Sequence, residues 1–248
     1  MKNQNRCVSL SFSHPVYCRP EAFRLFRQEI LHLDDNPGLF RAAFTIALHE
    51  HPEASLAEVE TTIEKLADTV KSRAVSLSTP ALLAHLHDVL FEVYGLRGNV
   101  ENYYDPSNSY VSDVLRTRLG IPISLVLIYK RVAECLGLVV HGVNTPGHFL
   151  AEVASDQEHS DGPMYVDPFF GGNLLNLDEV ADRIAQATGH PPAKPLQLQH
   201  ATHRQWLTRM LTNLQAAFAA LGQERDVYAM QELQTLLQTS GNNPSMPN

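Results

Sequence analysis

The chain is read as an α+β fold in which helical segments at both ends enclose a short group of strands. Apolar side chains recur at helical spacing through residues 20–93 and again through 202–238. Between them, 138–167 holds short β-rich runs broken by turn residues. The 248 residues suffice for one large or two smaller domains, and 44% hydrophobic with 19% charged residues suits an ordinary globular protein.

Pro20 opens a helix whose Phe23, Phe26, Ile30 and Leu33 form one stripe. Leu39 to His49 repeats the pattern with Phe40, Ala43, Phe44, Ala47 and Leu48. Ser55 followed by Glu58 is a capping-box arrangement ahead of Val59, Ile63, Leu66 and Val70. Thr79-Pro80 starts a fourth helix, closed by Gly95. His85 and His87 are two apart, so on a helix they diverge by about 200° and cannot share a metal. His49 and His51 straddle a helix end and read as solvated.

Asn108 or Ser109 is placed to cap a helix through Val111, Val114 and Leu115 that Gly120 ends. Pro122 fits the first turn of the next helix, apolar nearly all round in its first half and therefore buried. A strand from Leu138 to Val143 leads into two more, His148–Val153 and Met164–Asp167, separated by a polar loop. Asn176 or Asp178 begins a short helix ending at Gly189, and HPPAKP forms a rigid connector. Two further helices, about 202–221 and 224–238, flank Gly222, and the tail SGNNPSMPN reads as disordered.

Several function classes fall away on composition. A net charge of -8 without a lysine or arginine run argues against nucleic acid as a partner. The start MKNQNRCVSLSFSHP lacks a secretory core, and no apolar run reaches the ~18 residues of a membrane span. Cys7, Cys18 and Cys135 have no metal-ligand spacing and cannot all pair, which fits a reducing cytoplasm; no metal and no cofactor is expected.

The chemistry concentrates in GVNTPGHFLAEVASDQEHSDGPMYVDPFFGG, residues 142–172. If the two strands pair, Asp167 is carried toward His148, and a carboxylate behind an imidazole fixes its tautomer for general-base work. A buried histidine beside a turn-starting aspartate accounts for the same pattern.

NYYDPSNSY, RLGIPISLVLIY, GVNTPGHFL and DPFFGG, in this order, resemble the SirB group of transglutaminase-like proteins. The resemblance spans roughly residues 20 to 240. It implies a transglutaminase/papain-like core with a small antiparallel sheet at 96–190, a helical N-terminal lobe at 1–95, and a tetratricopeptide-like helical pair with a short tail at 191–248. The resemblance also implies a regulatory role. In the wider family a cysteine at a helix N-terminus works with a histidine and an aspartate on following strands, so His148 and Asp167 take those two places.

The helix start here holds Pro122, Ile123 and Ser124, with no cysteine, and Cys135 lies three turns on. The field at a helix N-terminus lowers a thiol pKa from about 8.5 toward neutrality, but it cannot ionise a serine hydroxyl near pH 7. Ser124 would need His148 to take its proton. Pro122 is an alternative occupant of the nucleophile slot, and capping backbone N–H groups is the alternative duty of Ser124.

Asn108, Tyr110, Arg118 and Asn144 are candidate pocket residues, with Arg118 expected to pair with Asp105 or Asp113. Phe149, Phe169 and Phe170 are expected beneath or beside the cleft. Two functions follow as expectations. One is a non-catalytic protein that binds a protein or peptide partner. The other is an amide- or peptide-bond hydrolase or acyltransferase using Ser124, His148 and Asp167.

Overall fold

The computed structural model describes residues 14–154, 163–193 and 195–240. Cys7, most of the polar loop after Val153 and the tail from 241 lie outside the described residues. The architecture mixes helix and sheet. Helices α1 (Pro20–Glu29), α2 (Gly38–Ala47), α3 (Leu56–Arg73) and α4 (Thr79–His87) come first, and α4 continues as a π-helical stretch, Asp88–Val93. A two-residue parallel pair, β1 (Arg97–Gly98) with β2 (Leu119–Gly120), brackets α5 (Val111–Thr117). The helix α6 (Pro122–Cys135) is followed by β3 (Val140–Thr145), β4 (His148–Val153), β5 (Met164–Asp167) and β6 (Asn173–Leu175), then α7 (Leu177–Thr188), α8 (His203–Ala220) and α9 (Glu224–Thr239).

Local signals explain most boundaries. Ser55 accepts the Glu58 N–H at 3.4 Å to start α3, and Asn176 and Glu179 form a reciprocal capping box on α7. The expected cap of α5 is corrected: Asp105 caps a 3-10 turn at Pro106–Ser109, and Tyr110 leads into α5 without a side-chain cap. Short β1, β2 and β6 carry too few residues for a period-2 pattern, so the sequence reading passed over them.

β3 to β6 form one antiparallel meander. Its first hairpin turns at Pro146-Gly147, where Gly147 adopts φ 70°, a left-handed conformation that costs glycine little. That turn pairs Thr145 with His148, and in the next strand pair Ala151 faces Val166. The sheet has an apolar layer on each face. Phe149, Ala151, Val153 and Val166 join the main core with α6, which is buried from Pro122 through Tyr129. Val143, Leu150, Tyr165 and Leu175 form a second cluster with Val180 and Ile184 of α7.

The main core also includes Phe23 and Phe26 of α1, Leu86 of α4, Trp206 and Leu214 of α8, and Leu233 of α9, so helices distant in sequence share one apolar interior. Gly142 marks the closest approach of α8 to the sheet: a Cβ there would sit 2.1 Å from the Trp206 ring. A buried carboxylate ties α9 to the segment that leads into α1. Glu232 of α9 accepts the N–H groups of Val16, Tyr17 and Cys18 at 2.7 to 3.2 Å, satisfying donors that lie outside any helix.

His49 is not solvated, which corrects the sequence reading. It is 5% exposed, because the start of α9 covers the end of α2 and brings Asp226 to within 3.0 Å of its Nε2. His87 is also largely enclosed, with Nε2 2.9 Å from the Tyr129 hydroxyl, and burial pulls its pKa from 6.5 to about 4. Between those values the unfolded chain binds a proton that the folded one does not. His87 therefore stabilises fully above pH 6.5, and that contribution, on the order of 3 kcal/mol at most, fades as pH falls to about 4. Denaturant midpoints measured from pH 7 to 4 are expected to fall less steeply in His87→Gln than in the wild type.

Candidate functional site

The 3-10 turn Pro168–Phe170, the start of α6, the β3–β4 turn, α7 and α8 converge on one cleft of about 560 Å³. His148 stands at the first position of β4 and Asp167 at the last of β5. Strand alternation puts His148 on the face of Leu150 and Asp167 on the face of Tyr165, the face that α7 covers. His148 Nε2 lies 3.0 Å from Asp167 Oδ2. The carboxylate is an acceptor, so Nε2 is the nitrogen that donates. Asp167 has no exposed surface. Its second oxygen accepts the Phe169 N–H at 3.2 Å, and Arg183 Nε of α7 lies 3.1 Å from Oδ2. That last contact is an ion pair without an aligned hydrogen bond, because Arg183 Nε meets no geometric hydrogen-bond partner.

Ser124 is held elsewhere. Its Oγ accepts the Ile121 N–H at 3.2 Å and lies 2.6 Å from the Asn108 carbonyl and 3.0 Å from that of Ile121, either of which takes its proton. The residue has no exposed surface and is not among those lining the cleft. Pro122 and Ile123 line it instead. Cys135 lies half-buried at the far end of α6, and Cys18 is buried beside Glu232, where desolvation first and that carboxylate second push its thiol up to about 12. No cysteine lines the cleft among the described residues.

The candidate pocket residues separate. Asn108 is buried and donates to the Asn102 and Tyr103 carbonyls while accepting from Asn99, so it shapes the loop that carries Tyr103 and Tyr104 to the cleft wall. Asn144 accepts from Arg209 of α8, which lines the cleft. Tyr110 is buried away from the cleft, and its hydroxyl has no hydrogen-bond partner. Arg118 does not pair as expected. It ends α5 at φ 65° with its guanidinium 5.3 Å from the Tyr94 ring centroid, while Asp113 is taken by Arg116 at 2.6 Å and His51 at 2.8 Å. Phe149 and Phe169 line the cleft with Phe170, which is 42% exposed. Sequence reading missed Arg183 and Arg209, because each is one polar residue on an amphipathic helix and only packing shows which of these turns inward.

One group has metal-ligand proximity among the described residues: His49, Glu50 and Asp226, with ligand atoms within 4.8 Å of one another. Arg19 N–H donates to His49 Nδ1 at 3.2 Å, so the proton sits on Nε2 and points at Asp226. The nitrogen that a cation would need is already protonated, and the group reads as a hydrogen-bonded histidine–aspartate pair.

Residues 57–212 match the sequence pattern of the Transglutaminase-like superfamily. The chain belongs to that superfamily. A UPF0162 protein of Xylella fastidiosa is 36% identical over 191 residues, which is 75% of this chain and 66% of that protein, so this transglutaminase-like chain spans just under two thirds of its relative. F-box only protein 21 of Mus musculus is 35% identical over 109 residues, 42% of this chain and 17% of that protein. The crystal structure of menin, described as revealing the binding site for Mixed Lineage Leukemia (MLL) protein, overlaps 96% of this chain and 60% of its own with a TM-score of 0.52. At 13% identity that likeness is one of fold alone. No helix among the described residues is long and apolar enough to cross a membrane.

Proposed function

We propose that this transglutaminase-like protein lacks the family's catalytic cysteine and uses the cleft at His148 to bind a protein or peptide segment without cleaving it. The observation that carries the reading is the start of α6: Pro122 and Ile123 face the cleft, and the Ser124 hydroxyl is engaged with main-chain groups. A nucleophile must lie within hydrogen-bond reach of its base, and neither cleft-facing side chain has a proton to give. The His148–Asp167 pair remains as a positioned, buried polar group inside an aromatic wall, suited to recognition. The SirB-type assignment and a tetratricopeptide-like reading of α8 and α9 belong to this proposal, with α9 and its neighbours as a further partner face. A cytoplasmic location also belongs to it, supported by the unpaired cysteines Cys18 and Cys135.

A fluorophosphonate and an alkylating thiol probe, followed by peptide mapping, test the non-catalytic half. Ser124 is expected to stay unmodified, and a panel of peptide amides to stay intact in its presence. A Ser124 adduct, or hydrolysis that Ser124→Ala abolishes while Cys135→Ala does not, would restore the Ser-His-Asp reading.

A further inference from the structure

The cleft differs in charge from the rest of the chain. The protein carries a formal net charge of -8, yet among the described residues no acidic side chain lines the cleft, while Arg183, Arg209 and His148 do. Asp167, fully buried behind His148, offsets one of the two arginines through its 3.1 Å contact with Arg183. Arg183 is held further by the Phe170 ring, 4.0 Å below its guanidinium carbon.

Arg209 has no such counter-ion. Its Nη1 donates to the Asn144 side chain and, at 2.8 Å, to the Thr145 carbonyl, both neutral acceptors. Its guanidinium carbon lies 5.6 Å from the Phe149 ring centroid. Among the described residues no carboxylate pairs with it, and Nε and Nη2 have no protein hydrogen-bond partner. The side chain is half-buried, and burial pulls its pKa below the usual arginine value, with Tyr103 opposing the shift. A guanidinium partly stripped of water, with one edge of its planar fork free, matches a carboxylate in shape and charge. Beside it, Tyr103, Tyr104, Phe169 and Phe170 form an aromatic wall, with Tyr104 66% and Val100 73% exposed at its rim.

Resting on the peptide-binding reading above, we propose that the cleft selects a peptide carboxylate next to an aliphatic or aromatic residue. Arg209 takes the carboxylate and the Tyr103–Tyr104–Phe169–Phe170 wall takes the neighbour. The carboxylate is either the free C-terminus or an Asp or Glu side chain, since both present the same two oxygens. One uncompensated positive charge balances a monoanion. A nucleic-acid backbone needs a run of cations, which an acidic chain with one free arginine at the site does not offer.

The test is selection from a random heptapeptide display library on the full chain. It is followed by fluorescence polarisation with synthetic copies of the enriched peptides. Enriched sequences are expected to carry Asp, Glu or an essential free C-terminus beside Phe, Tyr, Trp or Leu. Copies with a C-terminal amide and copies with Glu→Gln or Asp→Asn distinguish the two carboxylate sources, and the decisive change is expected to weaken binding about 10- to 100-fold. Arg209 also braces the β3–β4 turn, so the diagnostic variant is Asn213→Asp, a near-isosteric change on the same cleft wall one turn along α8. It is expected to weaken the acidic peptides by roughly 5- to 10-fold with an unchanged circular-dichroism melt. Enrichment of basic or neutral peptides, or unaltered or tighter binding to Asn213→Asp, overturns the carboxylate assignment and leaves peptide binding standing. Absence of any enrichment overturns peptide binding itself, and cleavage of the selected peptides overturns the non-catalytic reading.

Discussion

Asp167→Ala is expected to destabilise the protein by about 3–5 kcal/mol and to collapse the cleft, because it removes the buried partner of two basic groups at once. Asp167 is fully buried, its Oδ2 lies 3.0 Å from His148 and 3.1 Å from Arg183, and its Oδ1 accepts the Phe169 N–H. Alanine would leave the Arg183 guanidinium, whose side chain is only 17% exposed, without its counter-ion. The Phe169 amide would lose its acceptor, and the 3-10 turn that aims Phe169 and Phe170 would lose its cap. Urea unfolding gives the energy. The control is the double variant Asp167→Ala with Arg183→Met, which removes the stranded charge and should recover a large part of the loss. If the single variant costs less than about 1 kcal/mol, the pair is no more than a surface-like contact.

Trp206→Ala is expected to cost a comparable 3–5 kcal/mol, through lost burial and the cavity left behind. Trp206 is 1% exposed, stacks obliquely on Phe149 with centroids 4.7 Å apart, and fills the space that Gly142 leaves open on β3. Its indole N–H has no partner among the described residues, so packing and not hydrogen bonding is its contribution. Trp206→Phe should therefore lose far less, since it keeps an aromatic ring and removes an unsatisfied donor. Gly142→Val probes the same contact from the other side. Its Cβ would start 2.1 Å from the Trp206 ring and 2.7 Å from Phe149, and β3 or α8 must move. A thermal melt of Trp206→Phe as low as that of Trp206→Ala would contradict this account.

Much of the architecture was legible because local rules and packing agree here. Helical stripes such as Phe23, Phe26 and Ile30, the Asn176–Glu179 capping box, and the Pro146-Gly147 turn each act within a few residues. The His148–Asp167 pairing was foreseeable from two strands and a turn, and the meander register produces it. His49 was misread because its partner, Asp226, lies 177 residues away. Arg118 was misread because Asp113, its nearest carboxylate in sequence, is engaged by Arg116 and His51 instead.

By itself the sequence determined the α+β arrangement, its family and the residues at the start of α6, since the absence of a cysteine there is a matter of letters. Which of Pro122, Ile123 and Ser124 lines the cleft was decided only in three dimensions. One turn of helix presents residues about 100° apart, and the side that faces the cleft depends on where Asn108 and Ile121 hold the Ser124 hydroxyl. The charge of the cleft was decided there too. Arg183 and Arg209 stand on helices joined by a long connector, and only the packing of those helices brings both side chains to one cleft.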